Sequence, residues 1–160
     1  MVYFWLIFIL KKREIMKKIT SVLTAITVFS SALCASTGDQ YIGVQNLGIS
    51  YKIDFSEDTT LQGIIGKSFM QDGLLLEVSG IYKLPVERYV NGLGYISAMG
   101  LRSDGDDHTI SFGAGAGLGI EVDIRAIDRD LPPVFLNAKG GLTVGLSSVF
   151  DVGIGVHYKF

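Results

Sequence analysis

A chain of 160 residues has room for one folded domain, and 20 glycines against 3 prolines, with 48% hydrophobic and only 19% charged residues, point to many strands rather than long surface helices. The formal net charge is −2 and no basic tract lies in the part of the chain that would fold, which argues against nucleic acid as a partner. Cys34 is the only cysteine, so there is no disulfide framework and no cysteine metal site.

Two hydrophobic segments open the chain. "MKKITSVLTAITVFSSALCAS", Met16 to Ser36, has a basic start at Lys17 and Lys18, an apolar stretch from Ile19 to Phe29, and small residues up to Ala35 and Ser36. That order is expected of a secretory signal peptide, residues 16–36, cleaved near Ala35 or Ser36. Four Ser and Thr interrupt the apolar stretch, which argues against a membrane anchor. Leu33 before Cys34 argues against a lipoprotein signal. The preceding "MVYFWLIFILKKREI", residues 1–15, is expected to be an upstream extension of a protein that starts at Met16. Its nine apolar residues, Val2 to Leu10, are too few to span a bilayer. Removing residues 1–35 takes away Lys11, Lys12, Arg13, Lys17, Lys18 and Glu14, leaving 9 basic and 15 acidic residues in a domain of residues 37–160.

Read at period two, that domain falls into strands separated by turn clusters. A short strand is expected at Tyr41 to Gln45, then Ile49 to Phe55, with "NLG" between them and "SEDT" after. The run Thr60 to Phe69 puts Lys67 on the side of Leu61 and Ile65, so a bulge is expected to reset its parity. Leu74 to Lys83 follows, ended by "LPVE", then Tyr89 to Leu101 and the polar loop "RSDGDDH". From Thr109 to Arg125, Ile110, Phe112, Ala114, Ala116, Leu118, Ile120, Val122 and Ile124 hold one side. Gly113, Gly115, Gly117, Gly119, Glu121 and Asp123 hold the other. Val134 to Leu146 and a last strand ending in "GIGVHYKF" complete the pattern. Seven strands are clear, and Tyr41 to Gln45 supplies the eighth that an even-numbered barrel requires.

Alternation of this kind fits a soluble cup with its apolar side inward or a membrane barrel with that side outward. The other side is rich in Gly, Ser and Thr and poor in charge, which suits a narrow lumen better than a solvated exterior. The expected fold is all-β: an antiparallel up-and-down transmembrane barrel of about eight strands. Alternate apolar residues Val152, Ile154, Val156 and Tyr158 leading to a terminal Phe160, behind a signal peptide, resemble the small bacterial outer-membrane barrels of the eight-stranded OmpA/OmpX type. The stretch "GAGLGIEVDIR…FLNAKGGLTVG…FDVGIGVHYKF" is also similar to a group of short, functionally uncharacterised barrel proteins. The resemblance implies a bacterial outer-membrane location, lipids of that membrane as surroundings, and Tyr158 and Phe160 as part of a signal read by the barrel-assembly machinery.

With the apolar side outward, the lumen is expected to hold Lys52, Asp54, Glu77, Lys83, Glu121, Asp123, Arg125, Lys139, His157 and Lys159. Of these, Glu77, Glu121, Asp123, Arg125, Lys139 and His157 are the candidate polar cluster. A plug of paired charges is favoured over a pocket or ion route, because buried ions persist only when paired. No catalytic set is expected: His108 points away from Ser111, and His157 has no serine beside it in sequence. "DGDDH" lacks the spaced ligands of a calcium loop. "GAGAGLG" has its glycines alternating inside a strand, unlike a phosphate loop. The reading is a monomeric outer-membrane barrel with a structural or surface-interaction role, without enzyme activity, metal or cofactor. Its rivals are a soluble periplasmic barrel binding an apolar ligand and a lipid-modifying barrel enzyme.

Overall fold

A strand with one apolar and one small or polar face is stable only within a sheet, and a sheet keeps bare edges unless it closes on itself. The computed structural model describes residues 38–67, 73–103, 110–146 and 149–160. Among them, eight strands follow in chain order: β1 (Gln40–Gln45), β2 (Leu47–Asp54), β3 (Thr59–Lys67), β4 (Leu74–Glu87), β5 (Val90–Arg102), β6 (Ile110–Asp123), β7 (Val134–Val144) and β8 (Phe150–Lys159). Each pairs antiparallel with its successor, and β1 pairs antiparallel with β8, so the sheet is a closed eight-stranded barrel. The start of β1 and the end of β8 share one rim with the β2–β3, β4–β5 and β6–β7 connections. The other rim carries the β1–β2, β3–β4, β5–β6 and β7–β8 connections.

The expected strand at Tyr41 to Gln45 is therefore real, and "NLG" is a one-residue turn. Asn46 adopts φ 55, a left-handed conformation that asparagine tolerates better than most side chains. Its backbone N–H donates to Ile154 O at 2.8 Å, and its Oδ1 accepts from Ile154 N–H at 3.1 Å, so the turn extends the β1–β8 ladder by one rung.

Three boundaries differ from the sequence expectation, each for a local reason. β3 carries no bulge: its register against β4 runs unbroken from Thr59 opposite Tyr82 to Lys67 opposite Leu74, and Lys67 keeps its outward parity at the rim. "LPVE" continues β4, with a register shift between Pro85 and Glu87, where proline has no N–H to give the ladder. β6 stops at Asp123, which accepts from Arg125 N–H at 3.0 Å and starts a 3-10 turn over Ile124–Ala126. The expected upstream extension and signal peptide, with Cys34, lie outside the described residues, as do residues 104–109 with His108, residues 68–72, and Ser147 and Ser148.

The faces point as the glycine-rich pattern implies. Ile110, Phe112, Leu118 and Ile154 project away from the barrel axis, with Phe112 76% and Leu118 72% exposed. Lys52, Glu77, Glu121, Lys139 and His157 are buried inside. The interior is not uniformly polar, however. β4 and β5 turn Leu75, Met99 and Leu101 inward, with Leu146 packed on them, and nearer the other rim Ile81, Leu93 and Tyr95.

Candidate functional site in the barrel lumen

Eight strands enclose a space that side chains alone can fill. Here they fill it with three ion pairs between strands. Lys52 of β2 reaches Glu121 of β6 at 2.6 Å, Lys83 of β4 meets both oxygens of Asp54 at 2.9 Å, and Lys139 of β7 meets Glu77 of β4 at 3.2 Å. Every partner is buried, so each charge survives only through its counter-ion and surrounding donors.

Neutral groups complete two of the pairs. Asp54 also accepts from Tyr41 OH at 2.8 Å and Thr60 Oγ1 at 2.5 Å. Glu77 accepts from Ser79 Oγ, and Lys139 donates a second bond to Gln62 Oε1 at 3.1 Å. Two aromatic faces take up the remaining positive field: Lys83 lies 5.2 Å from the Tyr41 ring centre, and Lys139 4.8 Å from that of Tyr95. Phe135 packs edge-on against Tyr41 at 5.3 Å.

Glycines make room for these rings. Tyr95, Gly117, Gly141 and Asp151 stand in one register row across β5, β6, β7 and β8. A Cβ on Gly117 would lie 2.8 Å from Tyr95 Cε1, and one on Gly141 would lie 2.6 Å from the Tyr95 hydroxyl. With neither present, the ring reaches past both glycines and its hydroxyl donates to Asp151 at 3.0 Å.

His157 sits at the centre of a second group that the sequence did not reveal. Its Nε2 lies 2.9 Å from Ser50 Oγ, and its Nδ1 lies 3.2 Å from Asn137 Nδ2. Gln62 Nε2 donates to Ser50 Oγ and to Gln45 Oε1, both at 2.7 Å. Ser50 is 107 positions from His157, which is why no local spacing announces the pair. Gly43, between them in the register, leaves space for the ring: a Cβ there would lie 2.9 Å from His157 Cδ2.

Serine, histidine and asparagine in contact resemble the nucleophile, base and orienting group of a hydrolase, but here they are shut inside the barrel. Gln62 Nε2 also lies 3.4 Å from His157 Nε2, so the ring stands among three polar side chains, Ser50, Gln62 and Asn137. Asn137, Ser50 and His157 are all buried, the last two completely. The group joins β2, β7 and β8.

Of the expected polar cluster, the structure thus joins Glu77 to Lys139, ties Glu121 to Lys52, and gives His157 neutral partners. Arg125 does not line the wall. It lies just past β6 at the rim, its guanidinium turned back onto the Asp123 carboxylate by bonds of 3.0 and 2.9 Å from Nε and 2.5 Å from Nη2. Those bonds hold it above its already high ordinary pKa, so it stays charged. Tyr158 and Phe160 face outward at the same rim, and Phe160 N–H donates to Gln40 O at 3.1 Å. Among the described residues, no group of three or more His, Cys, Asp or Glu side chains is placed to hold a metal ion. No known protein family, curated protein or solved structure matches the chain.

Proposed function

We propose that this chain is a small, monomeric bacterial outer-membrane barrel of the OmpA/OmpX type, with a structural or surface-interaction role and no enzyme activity. One observation carries the reading: the barrel is inside out for water. Its ion pairs and histidine are internal, while the outward sides of β1–β8 carry Leu, Ile, Val, Phe, Tyr, Ala and Gly, with polar and charged residues confined to the rims at Gln40, Thr59, Lys67, Arg102 and Glu87. A soluble protein seldom exposes more than a few hundred Å² of contiguous apolar surface, and here it runs round the whole wall.

The outward aromatics support the same reading. Phe55, Tyr82, Tyr158 and Phe160 lie toward the rim where β1 starts, and Phe112 and Phe150 toward the other, as in the interfacial girdles of membrane barrels. A lumen closed by three ion pairs favours a structural role over transport. Tyr158 and Phe160, at the end of the last strand, would be presented to the barrel-assembly machinery.

Cell fractionation tests the reading. The protein is expected in the outer-membrane fraction after a carbonate wash, and to migrate differently on gels before and after boiling. Release into the wash would favour the rival soluble cup, and hydrolysis or acylation of lipid by the purified barrel would favour the enzyme.

A further inference from the structure

The hydrogen bonds around Ser50 and His157 take their direction from one end. Lys139 Nζ can only donate, and it does so to Gln62 Oε1 at 3.1 Å. The Gln62 amide must then turn its Nε2 the other way, where it donates to Ser50 Oγ and to Gln45 Oε1. With its oxygen taken, Gln45 is left with Nε2, a donor that has no hydrogen-bond partner among the described residues although Gln45 is 1% exposed. At the far end, Asn137 Nδ2 lies beside His157 Nδ1, and Asn137 Oδ1 is left without a partner in a side chain that is equally shut in. An unmet buried donor and an unmet buried acceptor are each costly, and native proteins keep few of either.

Both atoms border the same strip of inner wall. In the register Asn137 lies opposite Gly155 and Gly155 opposite Gln45, so one glycine of β8 stands between them. A Cβ on Gly155 would lie 2.7 Å from Asn137 Oδ1, and one on Gly153, the next inward position, 2.9 Å from Gln45 Nε2. Those two points are two residues apart on β8, about 7 Å. With hydrogen bonds of about 2.8 Å, one or two water molecules span a gap of that order. Val44 O, 3.1 Å from the Gly155 point, offers a further acceptor. The chemistry leaves little choice of occupant. One open partner donates and the others accept, and all are neutral, so a cation would face Gln45 Nε2 and an anion would face two oxygens. A small neutral molecule that accepts and donates at once meets them all, as water does.

We infer that ordered water is bound inside the barrel between Gln45 Nε2 and Asn137 Oδ1, beside Gly155. It closes a ring of hydrogen bonds that otherwise runs from Gln45 through Gln62, Ser50 and His157 to Asn137. The completed ring takes in β1, β2, β3, β7 and β8 and lies across the join between the first and last strands. This site needs only the closed barrel, so it stands whether the outer wall meets lipid or water.

The test is a crystal structure of the folded protein at a resolution that orders internal water, paired with water-to-amide cross-relaxation spectra of the isotope-labelled protein in micelles. The expected result is a density peak within hydrogen-bond distance of Gln45 Nε2, joined directly or through a second peak to Asn137 Oδ1. Cross-peaks from water to the side-chain amide protons of both residues are expected with it. Gln45→Met removes the donor and is expected to abolish the Asn137 cross-peak, whereas a signal relayed by the Ser50 hydroxyl would survive the substitution. A surviving cross-peak therefore overturns the bridge. So does a native structure in which the two atoms bond to each other or to other protein groups, in which no density joins them, or in which the density fits only an ion or a larger molecule. Should Gln45→Met fail to fold, the native density decides by itself.

Discussion

Two walls of the same lumen are built on opposite principles. The inner face of β4 and β5 mixes Leu75, Ile81, Leu93, Tyr95, Met99 and Leu101 with Glu77, Ser79, Lys83 and Ser97, whereas β1, β2, β7 and β8 present chiefly Tyr41, Gln45, Ser50, Lys52, Asp54, Asn137, Lys139 and His157. The aliphatic patches of the first wall are held by side-chain packing and tolerate a close fit of similar volume. The second is held by hydrogen bonds and ion pairs whose partners sit on distant strands, and it tolerates little, because an orphaned buried charge has no water to turn to. The polar wall specifies which strands face each other, and the apolar wall fills what is left.

The largest expected effect separates the two principles at Lys52. Lys52→Ala strands Glu121 in the lumen and is expected to destabilise the barrel by about 3–5 kcal/mol in urea titrations followed by circular dichroism. Lys52→Met combined with Glu121→Leu removes both charges and is expected to recover most of that loss. A double variant as unstable as the single one would show that the pair is needed for more than mutual neutralisation. Next in size is a change on the outside. Ile96 is 70% exposed, so in water Ile96→Lys would alter stability by no more than about 0.5 kcal/mol. In a lipid-embedded wall the same change is expected to destabilise by about 2–4 kcal/mol when measured in vesicles. The smallest effects compare glycines. A Cβ on Gly117 would lie 2.3 Å from Gly140 O and press on Tyr95, so Gly117→Ala is expected to destabilise by about 1–3 kcal/mol. Nothing lies within 4 Å of a Cβ on outward-facing Gly94, and Gly94→Ala is expected to stay within about 0.5 kcal/mol of the parent in the same titration.

Much of this architecture was legible because period-two alternation survives along whole strands. β6 is the clearest case, with Ile110 to Val122 facing out and Gly113 to Asp123 facing in, as expected. Even the short β1 was visible as a local pattern. Lys67 was misread as evidence for a bulge because the alternation rule expects no cation among outward apolar residues, yet at the end of a strand the rim tolerates one. The β4–β5 wall was harder: Leu74, Leu75 and Leu76 are all apolar, so parity there distinguishes nothing, and which leucine fills the lumen is decided by the register of β4 against Ile65 and Gly100. The contacts of the polar wall were not legible at all. Lys52 and Glu121 are 69 positions apart, and Ser50 and His157 meet only after the sheet has gone round. Such pairs depend on closure and strand stagger, which no local spacing encodes.

The join between β1 and β8 deserves a kinetic reading. Every other strand pair is a hairpin between sequence neighbours, but this one runs only from Tyr41 opposite Lys159 to Gln45 opposite Gly155, with Asn46 adding a rung to Ile154 from 108 positions away. A ribbon of seven hairpins can curl step by step, while turning it into a hoop requires one long-range encounter with the entropy of the whole loop against it. Until that clasp shuts, the first and last strands keep bare edges open to any neighbouring chain. The slowest moment of this molecule's formation is therefore also its most vulnerable.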